Sequence, residues 1–127
     1  MTSHDRRAET ARLGESEARK RLESMGYRTV VTNYRTRLGE IDIIARHGSQ
    51  LVFVEVKTRR TRAFGFPEES ITAAKAGRLA AAAQTYLARE GLRGADWRID
   101  VVAIELGRDG QIERLEVIQN AVGDPRR

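Results

Sequence analysis

The chemistry this sequence offers lies in three acids and a lysine: Glu55 and Lys57 in the run Val54-Glu55-Val56-Lys57, Asp42 thirteen residues before Glu55, and Glu15 near the start. Side chains alternate along a strand, so Glu55 and Lys57 share a face with Leu51 and Phe53, while Val52, Val54 and Val56 share the other. Charges set into an apolar strand are costly unless they are paired or bind a metal. A hairpin turn centred on Gly48-Ser49 pairs Arg46 with Leu51 and His47 with Gln50, and this register puts Asp42 opposite Glu55 and Glu40 opposite Lys57. Directly opposed Cβ atoms lie ~4.5–5.5 Å apart, where like charges destabilise a sheet. A divalent cation between Asp42 and Glu55 removes that repulsion. Mg²⁺, or Mn²⁺ in its place, suits two carboxylates because it takes hard oxygen ligands and keeps waters and phosphate oxygens as the rest. Glu15 can add a third acid from the first helix. Lys57 is then placed to hold an attacking water or to offset charge developing on a phosphate. The set Glu15, Asp42, Glu55 and Lys57 amounts to a hydrolytic site for phosphodiesters, with Asp42, Glu55 and Glu15 as metal ligands.

Each of these residues also has a plainer reading. Glu55 and Lys57 alone could be an exposed ion pair worth only ~0–1 kcal/mol; the opposed Asp42 and the inward Glu15 tip the balance to a metal site. Glu40 is either an accessory acid or a partner for Lys57 across the hairpin. Lys75 either snorkels from an apolar helix stripe or reaches a substrate phosphate. Arg59, Arg60 and Arg62 follow the site directly and are candidates for nucleic-acid phosphate contacts. Phe64 and Phe66 flank a glycine and read as anchors for the loop, and Arg98 with Asp100 reads as a structural pair.

The elements that must position these groups follow from periodicity and punctuation. Arg6 to about Met25 reads as a helix stopped by Gly26, with Glu15 on its apolar stripe and Glu17 on the wet side near Lys20. Strands are expected at Tyr27 to Asn33, Glu40 to Arg46 and Leu51 to Thr58, the last two forming the antiparallel hairpin. The basic stretch from Arg59 to Pro67 reads as an exposed loop. Glu68 to Glu90 reads as a second helix ended by Gly91, followed by strands at Trp97 to Leu106 and Gln111 to Ile118. The order is αβββαββ, an α/β arrangement in one domain over residues 1–122, with 123–127 as a fraying tail.

Composition bounds the function. The chain has 127 residues, 40% hydrophobic and 32% charged, and no cysteine, which removes disulfides, thiolate metal sites and cysteine nucleophiles. Its two histidines, His4 and His47, are too few for a multi-histidine centre. No apolar run approaches the ~20 residues of a membrane span, and the polar start lacks a signal-peptide core. A cytoplasmic protein without membrane association is expected. Lys and Arg number 23 against 18 acids, a net charge of +5, which favours a polyanionic partner.

The blocks Gly14-Glu15, Gly39-Glu40-Ile41-Asp42 and Phe53-Val54-Glu55-Val56-Lys57-Thr58-Arg59 resemble the signatures of the bacterial YraN family, with similarity from about Arg12 to Asn120. That family is grouped with the PD-(D/E)XK nucleases, whose restriction-endonuclease-like fold also includes Holliday junction resolvases. The resemblance implies a mixed sheet flanked by helices, and places the superfamily aspartate on Asp42, the Glu-x-Lys pair on Glu55 and Lys57, and the supporting glutamate on Glu15. Glu40 stands where many relatives have proline. The function implied is a Mg²⁺- or Mn²⁺-dependent nuclease on branched or structured DNA, working as a homodimer. The alternative is a non-catalytic nucleic-acid-binding or accessory protein of DNA processing that keeps the fold.

Overall fold

The structure, a computed structural model, describes residues 3–60 and 65–122. The expected roles of Arg62 and Phe64 and the fraying of 123–127 fall outside the described residues. Helix α1 spans Ser3–Ser24, strands β1, β2 and β3 span Arg28–Arg35, Glu40–His47 and Gln50–Arg59, helix α2 spans Ala73–Arg89, and β4 and β5 span Trp97–Leu106 and Ile112–Val122. One five-stranded sheet holds them in the order β1-β2-β3-β4-β5. All neighbours are antiparallel except β3 and β4, which run parallel and are joined through α2, as a parallel pair requires a crossover. The result is a mixed α/β sheet flanked by two helices.

Each helix covers one face. Ala18 and Leu22 of α1 pack with Ile43, Ala45, Val52, Val54 and Val102, while Leu79, Ala82, Ala83 and Tyr86 of α2 pack with Ile44, Leu51, Phe53 and Ile99. The alternation read from β3 therefore holds, with its valines under α1 and Leu51 and Phe53 under α2. Both helices end on a left-handed glycine. Gly26 (φ +91°) and Gly91 (φ +68°) let the next amide reach back into the last turn, Tyr27 N–H to Leu22 O at 2.9 Å and Leu92 N–H to Leu87 O at 2.7 Å.

Four boundaries differ from expectation by more than one residue. The helix expected from Glu68 is split into a short 3₁₀ turn, Pro67–Ser70, and α2 proper. The Thr72 hydroxyl accepts the Lys75 N–H and starts α2 afresh, and the Glu68 carboxylate is instead taken by both guanidinium nitrogens of Arg114 on β5, at 3.0 and 2.7 Å. Arg114 also lies 5.1 Å over the Phe66 ring, but the ring stays 39% exposed, so Phe66 rests against Arg114 rather than anchoring the loop in the core as expected. Helix α1 begins earlier than Arg6, β1 runs on to Arg35, and β5 continues to Val122.

Arg98 and Asp100 form a buried pair, Nε to Oδ1 2.9 Å. The Tyr27 hydroxyl donates to Asp100 at 2.6 Å, and the Asn120 amide donates to it at 2.8 Å. The end of α1, β4 and β5 are thus tied at one point.

Candidate active site

Glu55 and Lys57 lie in the second half of β3, in register with Val101 and Ala103 of β4. They form an ion pair at 3.6 Å with side chains only 17% and 25% exposed. The pair is recessed, not a wet strand face.

The β2–β3 ladder has the expected register, from His47–Gln50 to Ile43–Val54, and stops there. The expected rungs Asp42–Glu55 and Glu40–Lys57 do not form. Glu40 is carried away on β2, in register with Arg35 of β1 and ion-paired with it at 3.5 Å; it is not the partner of Lys57. The reason is tertiary. The β1–β2 turn rests on α2 so closely that a Cβ on Gly39 would stand 2.9 Å from the Arg78 carbonyl oxygen. The turn thus sits on α2 while β3 continues in register with β4, and the β2–β3 ladder ends at Ile43–Val54.

Where the ladder ends, the facing of Asp42 changes. Ile41 packs in the α2-side core but Ile43 in the α1-side core, so the alternation of β2 slips by one at Asp42. On β1 the matching residue, Asn33, is skipped by the ladder and adopts φ +53°, a left-handed conformation that asparagine tolerates better than most residues. Asp42 then stands between the parted strands and accepts the Val56 N–H at 2.8 Å. Its carboxylate serves a strand amide that the shortened ladder leaves available.

Helix α1 brings Glu15 alongside. Gly14 packs so tightly on β3 that an added Cβ would lie 2.0 Å from the Thr58 hydroxyl, which sets the next residue, Glu15, at the cavity between helix and sheet. That cavity, about 560 Å³, is lined by Glu15, Asp42, Glu55 and Lys57 together with Arg6, Arg7 and Arg60. A hollow of about 310 Å³ on the other flank of α1 also reaches Glu15 and Asp42. Under α2 a smaller hollow of about 160 Å³ joins Glu40, Glu55 and Lys57 to Lys75 and Arg78. Glu55 and Lys57 therefore open to both sides of the sheet.

Burial first, and then the Glu55 charge, push the Asp42 carboxyl up to about 7. Glu55 is also raised by burial, with Lys57 and then Lys75 pulling against the rise. The neighbouring Lys57 ammonium holds Lys75 below the ordinary lysine range. Two crowded carboxylates thus face two crowded ammoniums, an arrangement relieved by a cation at the former and an anion at the latter.

Among the described residues no three His, Asp or Glu side chains converge into a ready-made ion cage. Asp42 and Glu55 nevertheless suit Mg²⁺ or Mn²⁺. Both are hard oxygen donors in one cavity, each is disfavoured as a bare anion, and Mg²⁺ needs only one or two protein carboxylates beside its waters. Glu15 stands near enough to add to the Asp42 shift, so its contribution is charge at the same cavity.

Of the other candidates, Lys75 reaches the site and Arg60 lines the cavity, donating to the Thr10 hydroxyl at 3.2 Å. Arg59 lines none of the three hollows. Sequence reasoning missed Arg6, Arg7 and Arg78. The first two were legible as an arginine pair opening α1, but only docking of α1 on β3 brings them to the acids.

A mixed sheet carrying Asp42 and Glu55-x-Lys57 on adjacent strands, beneath a helix that adds Glu15, is consistent with a restriction-endonuclease-like core. The sequence pattern of the uncharacterised protein family UPF0102 matches residues 14–104, and the chain belongs to that family, the YraN family to which its motifs pointed. It is 53% identical over 108 residues to a UPF0102 protein of Symbiobacterium thermophilum, covering 85% of this chain and 91% of the relative. It is 46% identical over 109 residues to one of Alkaliphilus metalliredigens, covering 86% and 93%. No described helix is long and apolar enough to cross a membrane.

Proposed function

We propose that this protein is a Mg²⁺- or Mn²⁺-dependent endonuclease that hydrolyses phosphodiester bonds of branched or structured DNA. The observation that carries this reading is the pair of recessed carboxylates, Asp42 and Glu55, each pushed up by burial and Asp42 further by the Glu55 charge, in one cavity with Lys57 and a basic wall. Asp42 and Glu55 hold the ion, and Glu15 adds negative charge beside them. A bound Mg²⁺ supplies a water of lowered pKa and offsets charge on the phosphate. Lys57, fixed by its ion pair with Glu55, orients the attacking water against the phosphorus. Lys75 holds a non-bridging phosphate oxygen from the α2 side. Water adds to phosphorus, one bridging P–O bond breaks, and the proton passes to the departing oxygen, leaving a phosphate monoester and a free hydroxyl. Recessing these groups strengthens every charge interaction they make.

The test uses purified wild type, Asp42→Ala and Glu55→Ala with labelled linear, flap and four-way-junction DNA, each in Mg²⁺, Mn²⁺ or EDTA. Wild type cleaves only with metal, and each variant loses at least roughly 100-fold in rate, the scale of removing a charge-stabilising group, while still binding DNA. Absence of cleavage on every substrate in both metals overturns the proposal. A second reading, non-catalytic nucleic-acid recognition, is favoured by the exposed Arg6, Arg7 and Arg60 that line the same cavity; it requires binding by all three proteins that is indifferent to EDTA.

A further inference from the structure

The α1-side cavity is larger than an ion and a phosphate require. Its volume of about 560 Å³ falls within the ~300–1,000 Å³ of sites that enclose a small molecule, whereas the α2-side hollow has about 160 Å³. Arg6 and Arg7 from the opening turns of α1 and Arg60 from beyond the end of β3 bring three cations to it, all exposed. Among the described residues none of the three is held in an ion pair. Ala11 and Val56 add apolar surface.

We propose that this cavity seats an unpaired nucleotide of a DNA strand, with Arg6, Arg7 and Arg60 holding the phosphates beside it. The inference rests on the nuclease reading and names the form of the substrate: single-stranded DNA, or the unpaired segment of a flap or junction, in preference to continuous duplex. The acids sit below the surface between one helix and the sheet, and the Glu55 side chain is 17% exposed. A duplex is stiff, with a persistence length of ~50 nm, so seating one of its nucleotides in such a recess costs bending or unpairing that a single strand does not incur. A single strand bends freely and can enter. The lining's arginines offer the grip on phosphate.

The test measures binding in EDTA, which separates grip from cleavage. Fluorescein-labelled single-stranded oligonucleotide, the same sequence as blunt duplex, and the duplex carrying a single-stranded flap are titrated by fluorescence anisotropy with wild type, the double variant Arg6→Ala/Arg7→Ala, and Arg108→Ala. The last removes an exposed arginine in the turn before β5 that is not part of the cavity lining. Wild type binds single strand and flap at least roughly tenfold tighter than blunt duplex, and the double variant loses roughly tenfold on the first two. Arg108→Ala stays near wild type, and thermal melts confirm that all three proteins fold. Equal affinity for blunt duplex, or a loss in the double variant no larger than in Arg108→Ala, overturns the inference. The two readings fail separately. Mg²⁺-dependent cleavage unaffected by Arg6→Ala/Arg7→Ala leaves the nuclease standing without this cavity's role, and single-strand binding through Arg6 and Arg7 without cleavage leaves the binding site without the nuclease.

Discussion

Asp42 does two jobs at once: its carboxylate accepts the Val56 N–H and faces Glu55 in a desolvated gap. Because its folded pKa of about 7 lies above the ~3.9 of an unfolded aspartate, the folded state holds the proton more tightly. Stability of the metal-free protein is therefore fullest below the unfolded value and is lost as pH rises from about 4 through about 7. In EDTA, the Tm of wild type relative to Asp42→Asn should fall between pH 5 and pH 8, and Mg²⁺ should restore it at pH 8; a pH-independent difference contradicts the assignment. On the proposed metal site a bound ion would displace that proton, so apparent Mg²⁺ affinity measured by calorimetry should weaken by up to roughly tenfold per pH unit below about 7. Asp100 makes a different kind of prediction. It is fully buried against Arg98, and Asp100→Ala leaves that guanidinium uncompensated, at a cost of about 3–5 kcal/mol in urea unfolding. It lines none of the three hollows of the site, so Mg²⁺ binding to the folded variant should persist.

At the scale of elements, two glycines set the geometry. Gly14 lets α1 touch β3 at Thr58, and Gly39 lets the β1–β2 turn touch α2 at Arg78. In an exposed helix Gly→Ala stabilises by roughly 1 kcal/mol. At position 14 the new Cβ collides with the Thr58 hydroxyl, so Gly14→Ala should instead destabilise by about 1–3 kcal/mol and displace Glu15. Thr58→Ala removes that oxygen, and the double variant Gly14→Ala/Thr58→Ala should recover most of the loss in a double-mutant cycle. Additive losses would place the strain elsewhere. Gly39 meets a backbone carbonyl, which cannot rotate away, so no single side-chain substitution should rescue Gly39→Ala.

At the scale of the molecule, cations converge on the acids from both sheet faces: Arg6, Arg7 and Arg60 under α1 and Lys75 under α2. If these four each neutralise one phosphate of a single strand, log K should fall against log salt with a slope of about −3, measured by anisotropy between low and moderate salt. A slope near zero contradicts phosphate binding. The sheet ends on β1 and β5, with no strand beyond either among the described residues. A homodimer, expected for a two-fold branched substrate, should appear as twice the monomer mass in sedimentation equilibrium, alone or with junction DNA.

The sequence by itself determined what depends on short-range pattern. Alternation in β3 assigned Leu51 and Phe53 to one core and the valines to the other, the Gly48-Ser49 turn fixed the β2–β3 register, and charge embedded in an apolar strand marked Glu55 and Lys57. Residue type likewise exposed Arg98–Asp100 as a structural pair. The split before α2 was less legible, because the capture of Glu68 by Arg114 joins residues far apart in the chain. Only the tertiary structure decided where the hairpin ladder stops, beside a turn that rests on Arg78 of a helix formed much later in the chain. It also decided that Glu40 pairs with Arg35 rather than Lys57, and that Arg6 and Arg7 share a cavity with Asp42. Periodicity tells which face a residue takes while a strand stays regular; at Asp42 the strand leaves regularity beside a turn that packs on another element, and there the local rule ends.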